Sequence, residues 1–291
     1  MEKYYKPSGK FSLTSLLILV SIGIIISPLL GLLYAYAIWY IPFIYINFLI
    51  AAALGFAIGF VVDKTVIRFG KVRNPKLGLF LGLLAGLITL YFHWSVWVDL
   101  VINAGQQYGS SQIGITVSNI QVLQVFTLAS NPTLLFELIG QINQTGTWGF
   151  KSIPVSGFFL SIIWVIEALI IITIPTFMAW IATKKPFCET NNAWFKEEIL
   201  SPFDFITDKQ KIVTGLINDD RNVFDNLNKN TASNNNHSIF TLYSSENTEY
   251  YLTINNKIAK INEKQEVSFD DDEFVEYISI SSFLVNKLRS I

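Results

Sequence analysis

The chain has 291 residues, 51% of them hydrophobic, with 21 Lys/Arg, 22 Asp/Glu, two histidines and one cysteine. The lone Cys188 excludes an internal disulfide framework, and His93 and His237 cannot build a His-rich metal site. Charge is laid out unevenly: residues 1–185 carry 11 Lys/Arg against 5 Asp/Glu and residues 186–291 carry 10 against 17, and an acidic tail with scattered basic residues argues against nucleic acid as a partner.

From Phe11 to Val62 runs a stretch of 52 residues without Asp, Glu, Lys, Arg or His. As one helix it would be roughly 78 Å long against a hydrocarbon core of about 30 Å, so it must cross a membrane twice. The turn falls at Trp39-Tyr40-Ile41-Pro42, because the residue before proline resists helix and Trp and Tyr favour the headgroup layer. Span one is then about 11–37, with Pro28 as a kink, and span two 43–62. A short basic loop, 63–76, leads to span three at 77–98, and span four covers 155–181. The basic start (Lys3, Lys6, Lys10) runs into an apolar stretch too long for a signal-peptide core, so the first span is expected to remain as an anchor.

Four crossings put both termini on one side. Lys3, Lys6, Lys10, Lys64, Arg68, Lys71, Arg73, Lys76, Lys184 and Lys185 fall on that side and only Lys151 on the other. The positive-inside rule makes it the cytoplasm. The Asn/Ile/Lys-rich tail and the absence of organelle-type targeting signals point to a bacterial inner membrane. Tyr34, Tyr36, Trp39, Tyr40, Tyr91, Trp94 and Trp97 gather at the outer ends as an aromatic belt.

Small residues recur at every fourth position: Gly23, Ser27, Gly31 and Ala35 in span one, Ala51, Gly55 and Gly59 in span two, Gly78, Gly82 and Gly86 in span three. Such glycine-zipper stripes let helix backbones approach closely where lipid gives no hydrophobic drive to associate. Spans two and three are expected to pack as a tight antiparallel pair.

The outer segment 99–152 holds only Asp99, Glu137 and Lys151 as charges, too few for an ordinary solvated loop. Asn131-Pro132 reads as a helix cap followed by proline at the first position, opening an interfacial helix over 132–143. Ile113, Ile115 and Val117 alternate like a strand, whereas Ile120, Leu123 and Phe126 step like a helix, and the sequence leaves that stretch open.

The acidic tail, 186–291, reads as a small cytoplasmic α+β domain. Trp194, Phe195, Ile199 and Phe203 suggest a short amphipathic piece along the inner membrane surface. Helical patterns follow over 208–217 and 220–227, and residues 226–237, with six asparagines, read as a flexible linker. Short β-rich runs at 239–243, 249–254 and 257–261, broken by Asn-rich turn signals, form a meander, followed by a last strand at 274–280 and a final helix capped by Ser281 or Ser282.

HExxH, CxxC, GxSxG, Walker A and GxGxxG are all absent, which removes the usual evidence for an enzyme. Asp270, Asp271, Asp272 and Glu273 read as a solvated acidic turn, without EF-hand spacing, and His93 as a hydrogen-bonded interfacial histidine. No cofactor or metal is expected. Glu167 stands apart near the centre of span four, far in sequence from other charges. An intramembrane carboxyl must be protonated or partnered and faces the bundle interior. Thr89, Tyr91, Ser21 and Ser27 are its nearest polar groups by depth, and the first expectation is an interhelical hydrogen bond that glues the helices.

The fold expected is a membrane all-α four-transmembrane-helix bundle (1–185) with a small cytoplasmic α+β C-terminal domain. The function expected is a non-enzymatic inner-membrane anchor or scaffold whose cytoplasmic domain binds or senses a protein partner, as a monomer or homo-oligomer in contact with membrane lipid. The alternative is a small transporter or proton-coupled subunit working through Glu167.

Overall fold

A computed structural model describes residues 3–41, 43–105, 107–109, 114–146, 149–150, 153–230, 235–246 and 249–291. Within Gly9–Lys184, the first of two compact units, lie α1 (Thr14–Tyr40), α2 (Ile44–Val61), α3 (Pro75–Ile102), α4 (Val122–Ser130), α5 (Pro132–Thr145) and α6 (Gly157–Ala182). Four of them, α1, α2, α3 and α6, are long and apolar enough to cross a membrane, and the α4–α5 pair, bent by 106°, passes the same test only as one broken helix. α1 ends at Tyr40 and α2 starts at Ile44, and α1 continues through Pro28.

The expected loop after span two is in large part helical. α2 widens into π-helical turns over Val62–Phe69, where i→i+5 pairing aligns Asp63 with Arg68 and the guanidinium Nε donates to the carboxylate at 3.1 Å. The turn that follows is tied down by residues before α1: Arg73 N–H donates to Lys10 O at 2.8 Å and Gly9 N–H to Arg73 O at 3.0 Å.

α3 packs along both α1 and α6, and α2 packs along α6. The tight pairing expected of spans two and three is therefore replaced by pairings of each with α6. Gly78, Gly82 and Gly86 of α3 lie against Thr183, Pro175 and Ile172 of α6, while Gly55 and Gly59 of α2 lie against Ile174 and Met178. Gly23 and Gly31 of α1 meet Ile88 and His93 of α3. The closest approach to the backbone of a facing helix is at Gly82, where a Cβ would sit 2.5 Å from Pro175 O and 2.8 Å from Thr176 Cα, so only glycine fits.

Two short hairpins, β1 (Gln107–Gly109) with β2 (Gly114–Thr116) and β3 (Gly149–Phe150) with β4 (Ile153–Pro154), belong to the same unit. Of the ambiguous stretch, Ile115 is in a strand while Leu123 and Phe126 are in α4, and Ile113 lies outside the described residues. Asn131 caps α5, its side chain accepting from Leu134 N–H at 3.3 Å.

The second unit joins Lys185–Ile291 to Met1–Ser8. It contains β5 (Phe187–Cys188), β6 (Ala193–Trp194), β7 (Lys196–Ile199), β8 (Phe203–Asp204), α7 (Lys209–Ile217), β9 (His237–Ser244), β10 (Tyr250–Ile261), β11 (Val267–Ser279) and α8 (Ser282–Ser290). The main sheet is antiparallel, ordered β11-β10-β9-β7, with β8 also on β9. α7 and α8 contribute Leu216, Leu284, Val285 and Leu288 to a core with Phe203, Phe240, Leu252 and Ile278 of the sheet. Each such fully buried side chain contributes about 1.5–3 kcal/mol.

Several tail expectations are corrected. Trp194, Ile199 and Phe203, expected in a short amphipathic piece along the membrane surface, lie in strands: β6 pairs with β5, and β7 and β8 pair with β9. Residues 220–227 form turns. Asn255-Asn256 is interior to β10: Asn256 is buried, donating to Ile206 O at 2.9 Å and accepting from Ser238 Oγ at 2.6 Å, which a turn reading of Asn-Asn misses. The acidic run is part of β11, where Lys257 pairs Asp271, Lys260 pairs Asp270 and Lys209 pairs Asp272. Hydrogen bonding by Lys257 holds the Asp271 carboxyl below the usual range. Part of the Asn-rich stretch is also ordered against β8, with Asp204 N–H donating to Asn228 O and Asn230 N–H to Pro202 O, while residues 231–234 lie outside the described residues.

The residues before α1 complete the sheet. Tyr4 bridges Ile278 in antiparallel fashion, Tyr5 N–H donates to Tyr277 O at 2.9 Å and Ser279 N–H donates to Lys3 O at 2.6 Å. This added edge lies at a bulge in β11, where Tyr277 adopts φ +50° and gives its N–H to Thr253 Oγ1 at 3.2 Å.

Candidate functional site

Glu167 sits on the inward stripe of α6 that continues through Ile171, Pro175 and Ala179, about 15 Å along the helix from its N-terminal end. It is half-buried. The partners expected from depth are engaged elsewhere or apart. Thr89 is buried but its hydroxyl donates to Ala85 O of its own helix at 2.9 Å, and Tyr91 OH donates to Ala129 O of α4 at 2.8 Å. Ser21 donates to Leu17 O at 3.0 Å, and Ser27 is buried within α1.

Two further polar side chains lie buried between α1 and α3. Tyr34 of α1 is 2% exposed. Its ring meets that of His93 of α3 edge-on at 4.6 Å between centroids. His93 is itself 3% exposed, which corrects the interfacial reading: α1 covers it. Gly31 makes that possible, since a Cβ there would lie 2.8 Å from His93 N. Tyr34 follows Gly31 by three residues and so points from the same face.

Neither Tyr34 OH nor His93 Nδ1 has a hydrogen-bond partner among the described residues. Buried polar atoms are almost always paired, so two orphans on touching rings are exceptions within this bundle. A cluster of indoles borders them: Trp94 meets Trp164 at 4.9 Å, Trp97 meets Trp164 at 5.6 Å, and His93 meets Trp94 at 5.5 Å.

Sequence reasoning missed Tyr34 and set His93 at the surface. The available signal was helical spacing. His93 continues the Gly82, Gly86, Thr89 stripe, and Tyr34 continues Ser27 and Gly31.

A second buried acid, Asp99 near the end of α3, is structural. Its carboxylate accepts Gln121 N–H at 2.9 Å and Asn103 Nδ2–H at 3.1 Å, capping α4 from another helix. Tyr40 OH donates to Ser118 O at 3.1 Å and Trp39 Nε1–H to Thr116 O at 2.8 Å, so the aromatic end of α1 holds the segment that leads into α4. Among the described residues no three His, Cys, Asp or Glu side chains gather as a metal-binding group.

No protein-family model, curated protein or solved structure matches this chain.

Proposed function

We propose that the chain is a non-enzymatic, multi-pass inner-membrane anchor whose acidic C-terminal domain lies on the cytoplasmic side and there binds or senses a protein partner. The observation that carries the reading is the pairing of Lys3–Tyr5 with β11. Residues before the first long helix and residues after the last one build the same sheet, which supports an arrangement with both on one side of the membrane. An even number of crossings meets that condition and five would not. On this reading the bent α4–α5 pair belongs to the outer side, where its exposed Leu123, Phe126 and Phe136 suit a lipid interface. The ten-to-one distribution of basic residues supports the cytoplasm as the side of both ends.

A domain joined to the spans through both Gly9 and Lys185 is covalently coupled to two different helices. That suits a part whose state must be conveyed to, or held by, the helices. The experiment is labelling of single cysteines at Asn74, Gln141 and Ser290 in a Cys188→Ser background with a membrane-impermeant reagent. Gln141 should react from outside intact cells, and Asn74 and Ser290 only after permeabilisation. Outside labelling of Ser290 would overturn the arrangement. Purification of the full chain in mild detergent should then retain a protein that is lost on deleting 185–291; retention after that deletion would remove the domain from partner binding.

A further inference from the structure

We propose that the outer edge of β11 over Val267–Glu273 is a docking site for an extended segment of another protein that carries Lys or Arg and adds to the sheet as one more strand. The proposal rests on the partner-binding reading above and names its surface.

β11 ends the main sheet, with β10 along one side of it. From Val267 to Glu273 it pairs with β10 through seven consecutive residues without a bulge, a regular edge of about 23 Å. On its other side Lys3–Tyr5 occupy only Tyr277–Ser279, so the strand already takes an added strand farther along. Among the described residues no backbone group hydrogen-bonds to that side of Val267–Glu273. α7 packs on the core face of the sheet and reaches β11 through Lys209, which pairs Asp272 and stands 5.6 Å over the Phe274 ring. β9 ends at His237, opposite Lys257, so Ile258–Ile261 and Val267–Asp270 run past it as a two-stranded ribbon. On the β10 side of that ribbon Asn236 accepts Ala259 N–H at 2.8 Å, and the β11 side has no such cap among the described residues. A two-stranded ribbon is marginal alone, and a third strand on β11 supplies what it lacks.

Charge selects the occupant. β11 carries Asp270, Asp271, Asp272, Glu273 and Glu276 and no basic residue. Asp271 and Glu273, two residues apart, share one face of the strand and both are exposed. Lys257 of β10 meets Asp271, whereas Glu273 has no ion pair among the described residues. Partial burial, followed by the Glu276 and Asp271 charges, raises the Glu273 carboxyl above its ordinary range. Opposite charges on neighbouring strands stabilise their pairing and like charges oppose it. A second copy that laid its own β11 antiparallel on this edge about Asp271 would set acid against acid. An apolar strand would leave the carboxylates without counter-charge, which is how charged edges resist indiscriminate pairing. A strand with Lys or Arg at alternate positions instead meets Asp271 and Glu273 from the side that β10 leaves open.

The test uses the full chain in detergent micelles and, as probe, a peptide of about ten residues alternating Lys and Thr, long enough to span the edge. It should slow hydrogen exchange over 268–273 and leave Leu252 and Ile254, inside the sheet, unchanged. The same peptide N-methylated on the residues that face β11 keeps its charge and loses its backbone donors, and should bind at least about tenfold more weakly. Glu273→Lys, in protein of wild-type melting behaviour, should weaken the Lys peptide by about fivefold and admit the matching Glu–Thr peptide, which the wild type should refuse. Equal affinity for the N-methylated peptide would reduce the binding to adsorption of charge and overturn the site, as would exchange over 268–273 that the peptide leaves unchanged. A protein that co-purifies with the full chain, is lost on deleting 185–291 and leaves 268–273 unprotected would overturn the edge while the partner-binding reading stood. Protection by the peptide where no protein co-purifies would support the edge while that reading failed.

Discussion

Tyr5 gives its backbone N–H to Tyr277 O at 2.9 Å, and its ring meets the Tyr251 ring edge-on at 5.5 Å and the Tyr277 ring at 6.4 Å. A segment that precedes the first long helix is thus bonded to the last strand of the chain. Backbone bonds set its register, and the aromatic contacts cover the tyrosines beneath.

Tyr5→Pro removes that N–H and leaves a carbonyl at the bulge without its donor. The unfolded-edge form should be favoured by about 1–3 kcal/mol. Hydrogen exchange of the full chain should then quicken at Ser279, which donates to Lys3 O, while amides in the middle of α3 keep their protection. Unchanged exchange at Ser279 would mean that the added strand does not hold the edge.

Asp99→Ala should detach α4 from the end of α3, because Gln121 N–H loses its acceptor in a part-buried position. The expected cost is about 1–3 kcal/mol, and Asp99→Asn, which keeps one carbonyl acceptor, should cost less. Limited proteolysis between α3 and α4 reads the difference. Equal resistance in Asp99→Ala and wild type would leave the cap without energetic weight.

Gly82→Ala and Gly140→Ala make a matched pair. The first places a methyl against the α6 backbone and should destabilise by about 1–3 kcal/mol, whereas nothing lies within 4 Å of a Cβ at Gly140. Gly140→Ala on the exposed face of α5 should instead stabilise by about 0.4–1 kcal/mol. Detergent-solubilised melting curves should therefore move in opposite directions.

The sheet unit should weaken in alkali. Burial, followed by the nearby Glu197 charge, pushes Tyr243 up to about 12, and Tyr277, hydrogen-bonded to it, is raised as well, again chiefly by burial. A raised folded-state value means that this contribution is complete below the unfolded value of about 10 and is lost as pH climbs towards the folded one, for Tyr243 on the order of 2–3 kcal/mol. Cys188 is buried in the same cluster, so its labelling rate reports opening. The ratio of wild-type to Tyr243→Phe rates at matched pH should rise across that window. A constant ratio would exclude Tyr243 as the titrating group.

Helices were the legible part of this fold. Charge-free length and one proline-marked turn located α1 and α2, and Asn131-Pro132 located the start of α5, since each rests on local chemistry. Which helix meets which was not legible. A stripe such as Gly78, Gly82, Gly86 announces a close approach but carries no label for its partner, and the partner proved to be α6. The β-rich runs at 239–243, 249–254, 257–261 and 274–280 fall largely within β9, β10 and β11, but the continuity of β10 was hidden for a related reason. Asn255-Asn256 has turn chemistry in isolation and is overridden by Ser238 and Ile206, which only tertiary structure brings to it. Glu167 was conspicuous because a carboxyl is rare in such a segment, but Tyr34 reads as an ordinary member of an aromatic belt and His93 as an interfacial histidine until burial is known.

The edge strand also imposes an order on biosynthesis. Lys3–Tyr5 are made long before Tyr277, and at about 5–20 residues per second the ribosome needs on the order of 15 to 55 s to deliver their partner. During that interval the four long, apolar helices are made while their leading segment waits unpaired. The sheet can close only after β11 has left the ribosome, so its completion follows the synthesis of every element from α1 to β11.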